Sequence, residues 1–149
     1  MTKRTTLLPA LLLLLACAAS ARAQGSPANT VEHEFPNGSR VVLEYDAGRL
    51  RFFNYYGSAG VGESMHECEM ELVRGRGPSV WADRGAATTI RTGERRRAVV
   101  VTVRRARGNY SINFAGSRKG DFCGAGVSLP RRITLTRRRG GGYAGRISM

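Results

Sequence analysis

The sequence has few of the side chains that most hydrolytic active sites require. Only two of its 149 residues are histidine, His33 and His66, and neither lies in a G-x-S-x-G or H-E-x-x-H motif. We therefore predict no catalytic residues, no cofactor and a non-enzymatic protein. A His/Glu pair with arginines holding a phosphate could still make a small secreted hydrolase of a phosphate polymer, which stays open as an alternative.

Carboxylates are scarce relative to cationic side chains. The chain has 24 Lys and Arg against 11 Asp and Glu, a formal net charge of +13. A field of this sign attracts anionic surfaces and polymers over about one Debye length. Lysine is almost absent, but plentiful Arg, Gly and Ala are typical of a GC-rich genome. We therefore draw a functional conclusion from the sign of the net charge and none from the preference for arginine over lysine.

Long apolar runs are confined to the N-terminus. Lys3 and Arg4 precede an apolar stretch over residues 7–19, and residues 20–23 place small side chains at the −3 and −1 positions of a cleavage site. This order predicts a signal peptide over residues 1–23, and the stretch is short of the roughly 20 residues that span a bilayer. We expect an exported protein, periplasmic or secreted. Its net charge falls to about +10, since the signal peptide removes three of the cations counted in +13.

One cysteine lies inside this leader. Residues 14–17 (Leu-Leu-Ala-Cys) resemble a bacterial lipobox, in which Cys17 would be lipidated and become the mature N-terminus. The protein would then be an outer-membrane lipoprotein, and a lipid anchor is the only membrane contact that we predict. Leu15 is larger than the residue usual at its position, and a well-formed cleavage site follows, so we retain lipidation as the alternative.

Only two cysteines remain after the leader, Cys68 and Cys123. In a small exported domain an even pair predicts one disulfide. It would close a loop of about 55 residues, and the chain-entropy model predicts that this closure stabilises the folded state by roughly 4 kcal/mol.

The mature chain has no segment with a convincing helical period. Alternating apolar and polar residues are separated by turn signals, of which Asn37-Gly38 between two such runs is the clearest hairpin signal. We predict one β domain over residues 24–137, a small antiparallel barrel or sandwich of about eight short strands. The basic, glycine-rich residues 138–149 contain few apolar side chains, so we expect a flexible tail.

Residues 65–73 alternate between two chemically distinct faces. One carries His66, Cys68 and Met70, a set of ligand types that copper favours, but a disulfide would consume Cys68 and we predict no metal. The other carries Glu67, Glu69 and Glu71. We expect arginines of a neighbouring strand, around residues 95–105, to pair with these glutamates.

Arginines recur in three groups, and we predict that they form a binding surface for an anionic envelope component or polysaccharide. The predicted binding residues are Arg95, Arg96, Arg97, Arg104, Arg105, Arg107, Arg137, Arg138 and Arg139. Aromatic residues concentrate at positions 52–56, away from these arginines in the sequence. Because single-stranded nucleic acids stack on aromatic side chains, no specific nucleic-acid recognition is predicted.

These features favour a small exported binding protein. An alternative is an inhibitor of an exported enzyme, since periplasmic β-barrel lysozyme inhibitors are similar in size, export signal and disulfide usage. The similarity is architectural only, and lysozymes are usually cationic, so a protein of this net charge would be repelled by them.

Overall fold

The computed structural model describes residues 29–59, 66–93, 98–116, 122–124 and 127–149, and these residues confirm the predicted all-β class. The strands are β1 (Asn29–Glu34), β2 (Arg40–Asp46), β3 (Arg49–Ala59), β4 (His66–Val73), β5 (Val80–Arg84), β6 (Ala87–Thr92), β7 (Val99–Ala106), β8 (Asn109–Gly116), β9 (Arg132–Arg137) and β10 (Tyr143–Ser148). Within these ranges no helix is long and apolar enough to cross a membrane. The predicted signal peptide and Cys17 lie outside the described residues.

The strands form two antiparallel sheets of four and six strands. Their orders are β1-β2-β3-β4 and β10-β9-β8-β7-β6-β5, so every strand pairs only with its neighbours in the sequence. The predicted hairpin joins β1 to β2, with Gly38 in the left-handed conformation at φ 77°. Tight turns are enough to join β1 to β2, β2 to β3, β5 to β6 and β7 to β8, because antiparallel neighbours need no crossover.

One hydrophobic core lies between the two sheets. Alternate side chains of each strand are buried, as in the pattern of β2, where Val41, Leu43 and Tyr45 face inward. Rings from opposite sheets meet there, with Phe53 of β3 6.0 Å from Phe114 of β8. The sheets do not close into a barrel, and a sandwich is therefore the better description.

The two sheets are joined at the β4 edge by the predicted disulfide. Cys68 of β4 is bonded to Cys123, which lies between β8 and β9. The Glu69 N–H donates to the Phe122 carbonyl and the Gly124 N–H to the Glu67 carbonyl, both at 2.8 Å. Residues 122–124 therefore continue the four-stranded sheet beyond β4 and cover what would be an exposed edge.

The C-terminal segment differs from the prediction of a flexible tail over residues 138–149. Residues Tyr143–Ser148 form β10, which pairs with β9 along its whole length. Tyr143 and Ile147 pack against the core, and Gly145 lies between them on the same side of the strand. Backbone pairing and two apolar anchors hold this segment, although its composition is basic and glycine-rich.

A carboxylate links the sheets near the β5 edge. Asp83 of β5 accepts hydrogen bonds from Arg74 at 2.7 Å, Thr88 at 2.8 Å and Arg49 at 3.2 Å. Arg49 belongs to β3, so the ion pairs cross from the six-stranded to the four-stranded sheet. The bond from Arg74, followed by those from Thr88 and Arg49, lowers the pKa of Asp83 to about 2.

The lowered pKa of Asp83 predicts that the free energy of unfolding decreases at low pH. Because the folded pKa of Asp83 lies below its unfolded value, its stabilisation is present above about pH 4 and is lost as the pH falls towards 2. Asp83→Asn should lower the free energy of unfolding at pH 7 by about 1 to 2 kcal/mol. Because the variant lacks the titrating carboxyl, it should lose less stability than the wild type as the pH falls towards 2. Urea denaturation between pH 2 and 7 measures both effects. Asp46→Asn, at the exposed end of β2, is the control, and an equal loss in both variants would contradict the assignment.

Candidate functional site

The outer face of the six-stranded sheet is basic. Burial alternates along its strands, so the side chains that do not enter the core share this face. Five of them are arginines, one each on β5, β6, β7, β9 and β10: Arg84, Arg91, Arg104, Arg132 and Arg146. The described residues of this face include no carboxylate and no aromatic ring, and most of the others are Thr, Ser, Asn, Ala or Val. We call it the basic face.

The strand register places three of these arginines in one row. Arg84 of β5, Arg104 of β7 and Arg146 of β10 lie in the row that also contains Ala87, Ser111 and Thr134. With about 4.8 Å between neighbouring strands, Arg84 and Arg104 are about 10 Å apart, and Arg104 and Arg146 about 14 Å. The row therefore presents spaced positive charges across the strands, with two hydroxyl groups between Arg104 and Arg146.

The outer face of the four-stranded sheet has the opposite charge. Its glutamates come from three strands: Glu32, Glu34, Glu44, Glu67, Glu69 and Glu71. The one ion pair among the described residues of this face joins Arg40 to Glu32 at 3.7 Å. We call it the acidic face.

The predicted pairing of Glu67, Glu69 and Glu71 is wrong for the β7 arginines of the range 95–105, and residues 95–97 of that range lie outside the described part of the chain. These glutamates lie on β4, whose strand partner is β3, whereas β7 belongs to the other sheet. Glu67 instead accepts a hydrogen bond from the Tyr56 hydroxyl at 2.6 Å, and Glu69 lies opposite Tyr56 in the register. The glutamates therefore remain a source of negative charge on this face.

Two of the three predicted arginine groups come together at one end of the sandwich. Arg104, Arg105 and Arg107 lie at the end of β7 and in the following turn, and Arg137 ends β9 beside that turn. The backbone N–H of Arg137 donates to the side-chain Oδ1 of Asn109 at 2.9 Å, and this hydrogen bond joins the two segments. Arg138 and Arg139 continue into the β9–β10 turn, and all six arginines are exposed. We call this the basic end; the third group, Arg95, Arg96 and Arg97, lies outside the described residues.

Tyrosines lie beneath the basic end, although they are distant from its arginines in the sequence. The Arg105 guanidinium is 5.6 Å from the ring centre of Tyr45 and 5.9 Å from that of Tyr110, within cation–π range. Tyr110 also contacts Tyr143 of β10, with ring centres 5.7 Å apart. The sequence contained one indication of this contact. In the alternating pattern of β7, Arg105 lies on the same side as Val101 and Val103, which face the core.

Tyr45 and Tyr110 are buried, and this burial changes their pKa values. Desolvation, with the neighbouring Tyr110 as a second cause, raises the pKa of Tyr45 well above its usual range. Desolvation and Tyr143 likewise raise the pKa of Tyr110. Both hydroxyls therefore stay protonated in neutral solution and add no negative charge beside Arg105.

The histidines and the sulfur-containing face are not assembled into a site. His33 is on β1 and His66 on β4, the opposite edges of the four-stranded sheet. Cys68 is disulfide-bonded and Met70 is fully buried in the core. In the part of the chain that the structure describes, no three His, Cys, Asp or Glu side chains are grouped so that they could hold a metal ion.

Comparison with known proteins gives no match: no protein-family model, curated protein or solved structure is similar to this chain.

Proposed function

We propose that this is an exported, non-enzymatic binding protein whose basic face and basic end bind an anionic polymer of the cell envelope or the medium, with an acidic polysaccharide as the preferred class. Export is inferred from the leader sequence, and the disulfide is consistent with an oxidising compartment. Binding by charge needs no catalytic group, so the proposal assigns no reaction to the protein.

The observation that carries this proposal is the separation of charge between the two faces. None of the five arginines of the basic face forms an ion pair with a carboxylate of the described residues. No carboxylate of the described residues therefore neutralises their charge, which we propose is available to a partner. Hydroxyl and amide groups between the arginines suit the hydroxyls of a polysaccharide, and the absence of exposed rings on the described part of this face disfavours base stacking.

Heparin affinity chromatography tests the role of this face. The wild-type protein should be retained at low salt and eluted as the salt concentration rises, because binding releases counterions from the polymer. Arg104→Gln/Arg146→Gln removes two charges from the central row. Elution should move to clearly lower salt, and the slope of log K against log salt should fall by roughly two.

The control removes the same charge from the other sheet. Arg40→Gln/Arg51→Gln changes two exposed arginines of β2 and β3 and should elute close to wild type. Equal shifts in both double variants would show that only net charge matters, and failure of the wild type to bind heparin at low salt would reject the proposal.

A further inference from the structure

A small cavity opens at the basic end between the two sheets. Its volume is about 150 Å³, and its polar lining includes Arg49 and Asp83 with Arg105 and Thr88. A space of this size holds several water molecules. That volume suits a single anionic group and is below the usual range for a drug-sized ligand.

The charges around this cavity are unbalanced. Asp83 is its one carboxylate among the described residues, and both of its oxygens already accept bonds, Oδ1 from Arg74 and Thr88 and Oδ2 from Arg49. Arg49 uses its Nε and one Nη for Asp83, which leaves its other Nη without a partner in the described residues. Two arginines, Arg49 and Arg74, bond this carboxylate, and Arg105 also lines the cavity, so the excess of charge is positive.

Arg105 is the second arginine that lines this cavity. Its side chain makes no hydrogen bond or ion pair with the described residues, and the faces of Tyr45 and Tyr110 position its guanidinium. A cation held over aromatic rings keeps its N–H groups directed at other acceptors. Arg49 approaches the same space from the four-stranded sheet, and Arg105 from the six-stranded one.

We propose that this cavity binds one tetrahedral oxyanion, the sulfate or phosphate ester group of the polymer, between Arg105 and Arg49. A single arginine can hold either group through two parallel bonds, but a carboxylate has only two oxygens in one plane, whereas a sulfate or phosphate ester has three free oxygens in diverging directions for two guanidinium groups. The inference rests on the proposed function for the identity of the polymer, but binding of the free anion can be measured without it.

Thermal unfolding with sodium sulfate, sodium phosphate or sodium acetate, at constant ionic strength kept with sodium chloride, tests the cavity. Sulfate and phosphate should raise the unfolding temperature of the wild-type protein in a saturable way, and acetate should not. Arg105→Gln should weaken the apparent affinity for sulfate at least tenfold. Arg107→Gln, which removes the same charge two residues away in the turn, should leave it unchanged. Circular dichroism without sulfate checks that both variants are folded.

The outcomes separate the cavity from the basic face. No saturable effect of sulfate in the wild type, an equal effect in Arg105→Gln, or an equal effect of acetate would each overturn the oxyanion site. On heparin, Arg105→Gln should elute before Arg107→Gln, and identical elution would overturn the link between cavity and polymer. If the wild type is not retained on heparin, the proposed function fails while the sulfate titration still measures the cavity.

Discussion

Replacing Cys123 with serine should lower the free energy of unfolding by about 4 kcal/mol, which corresponds to a fall of roughly 10 to 15 °C in the midpoint of thermal unfolding. The disulfide closes a loop with a sequence separation of 55 between Cys68 and Cys123. Without it the unfolded chain regains the conformations that the closed loop forbids. The backbone hydrogen bonds of residues 122–124 to β4 do not depend on the sulfur, so the folded structure should persist at low temperature.

Reductant supplies the control for this prediction. Differential scanning calorimetry should show that reduction lowers the midpoint of the wild type to near that of Cys123→Ser, whereas the variant itself should not respond. A wild-type midpoint that reductant leaves unchanged, with free thiols confirmed by labelling, would contradict a stabilising role for the bond.

The strands were predictable because their alternation is local. In β2 and β4 the buried and exposed residues follow one another with a period of two, and Asn37-Gly38 marks the turn between β1 and β2. The pairing of Cys68 with Cys123 followed from their number and required no geometry. The sequence did not predict β10 because Gly145 interrupts its apolar face. Tyr143 and Ile147, on either side of Gly145 and after three glycines, were the only indication of this strand.

The charge pattern was not predictable, because it depends on which strands share a sheet. A sequence lists Glu67, Glu69 and Glu71 before the arginines of β7 but does not state that β4 and β7 belong to different sheets. The net charge therefore conceals an acidic face on a basic protein. The objection that cationic lysozymes would be repelled does not apply to this face, so the inhibitor hypothesis is not rejected on electrostatic grounds.

Substituting Gly145 with alanine should give the second large loss of stability. Gly145 lies on β10 at the point where the six-stranded sheet meets β1 of the other sheet, and an added Cβ would overlap the rings of His33 and Phe35. These two rings pack edge to face with their centres 4.6 Å apart, and Phe35 is buried, so neither can move without disturbing the other. We expect the free energy of unfolding to fall by about 1 to 3 kcal/mol, the usual cost of overpacking. Chemical denaturation measures it.

Gly140→Ala is the matched control, because a Cβ at Gly140 meets no atom within 4 Å. Gly140 also lacks the left-handed conformation of Gly141 and Gly142, so alanine there should be neutral or slightly stabilising. In the Gly145→Ala background, His33→Ala should restore part of the lost stability, since it removes one of the two obstructing rings. If Gly145→Ala unfolds at the same denaturant concentration as Gly140→Ala, the contact between β1 and β10 is looser than the structure shows. A measurable loss with partial rescue would instead establish that this glycine lets the two sheets approach each other.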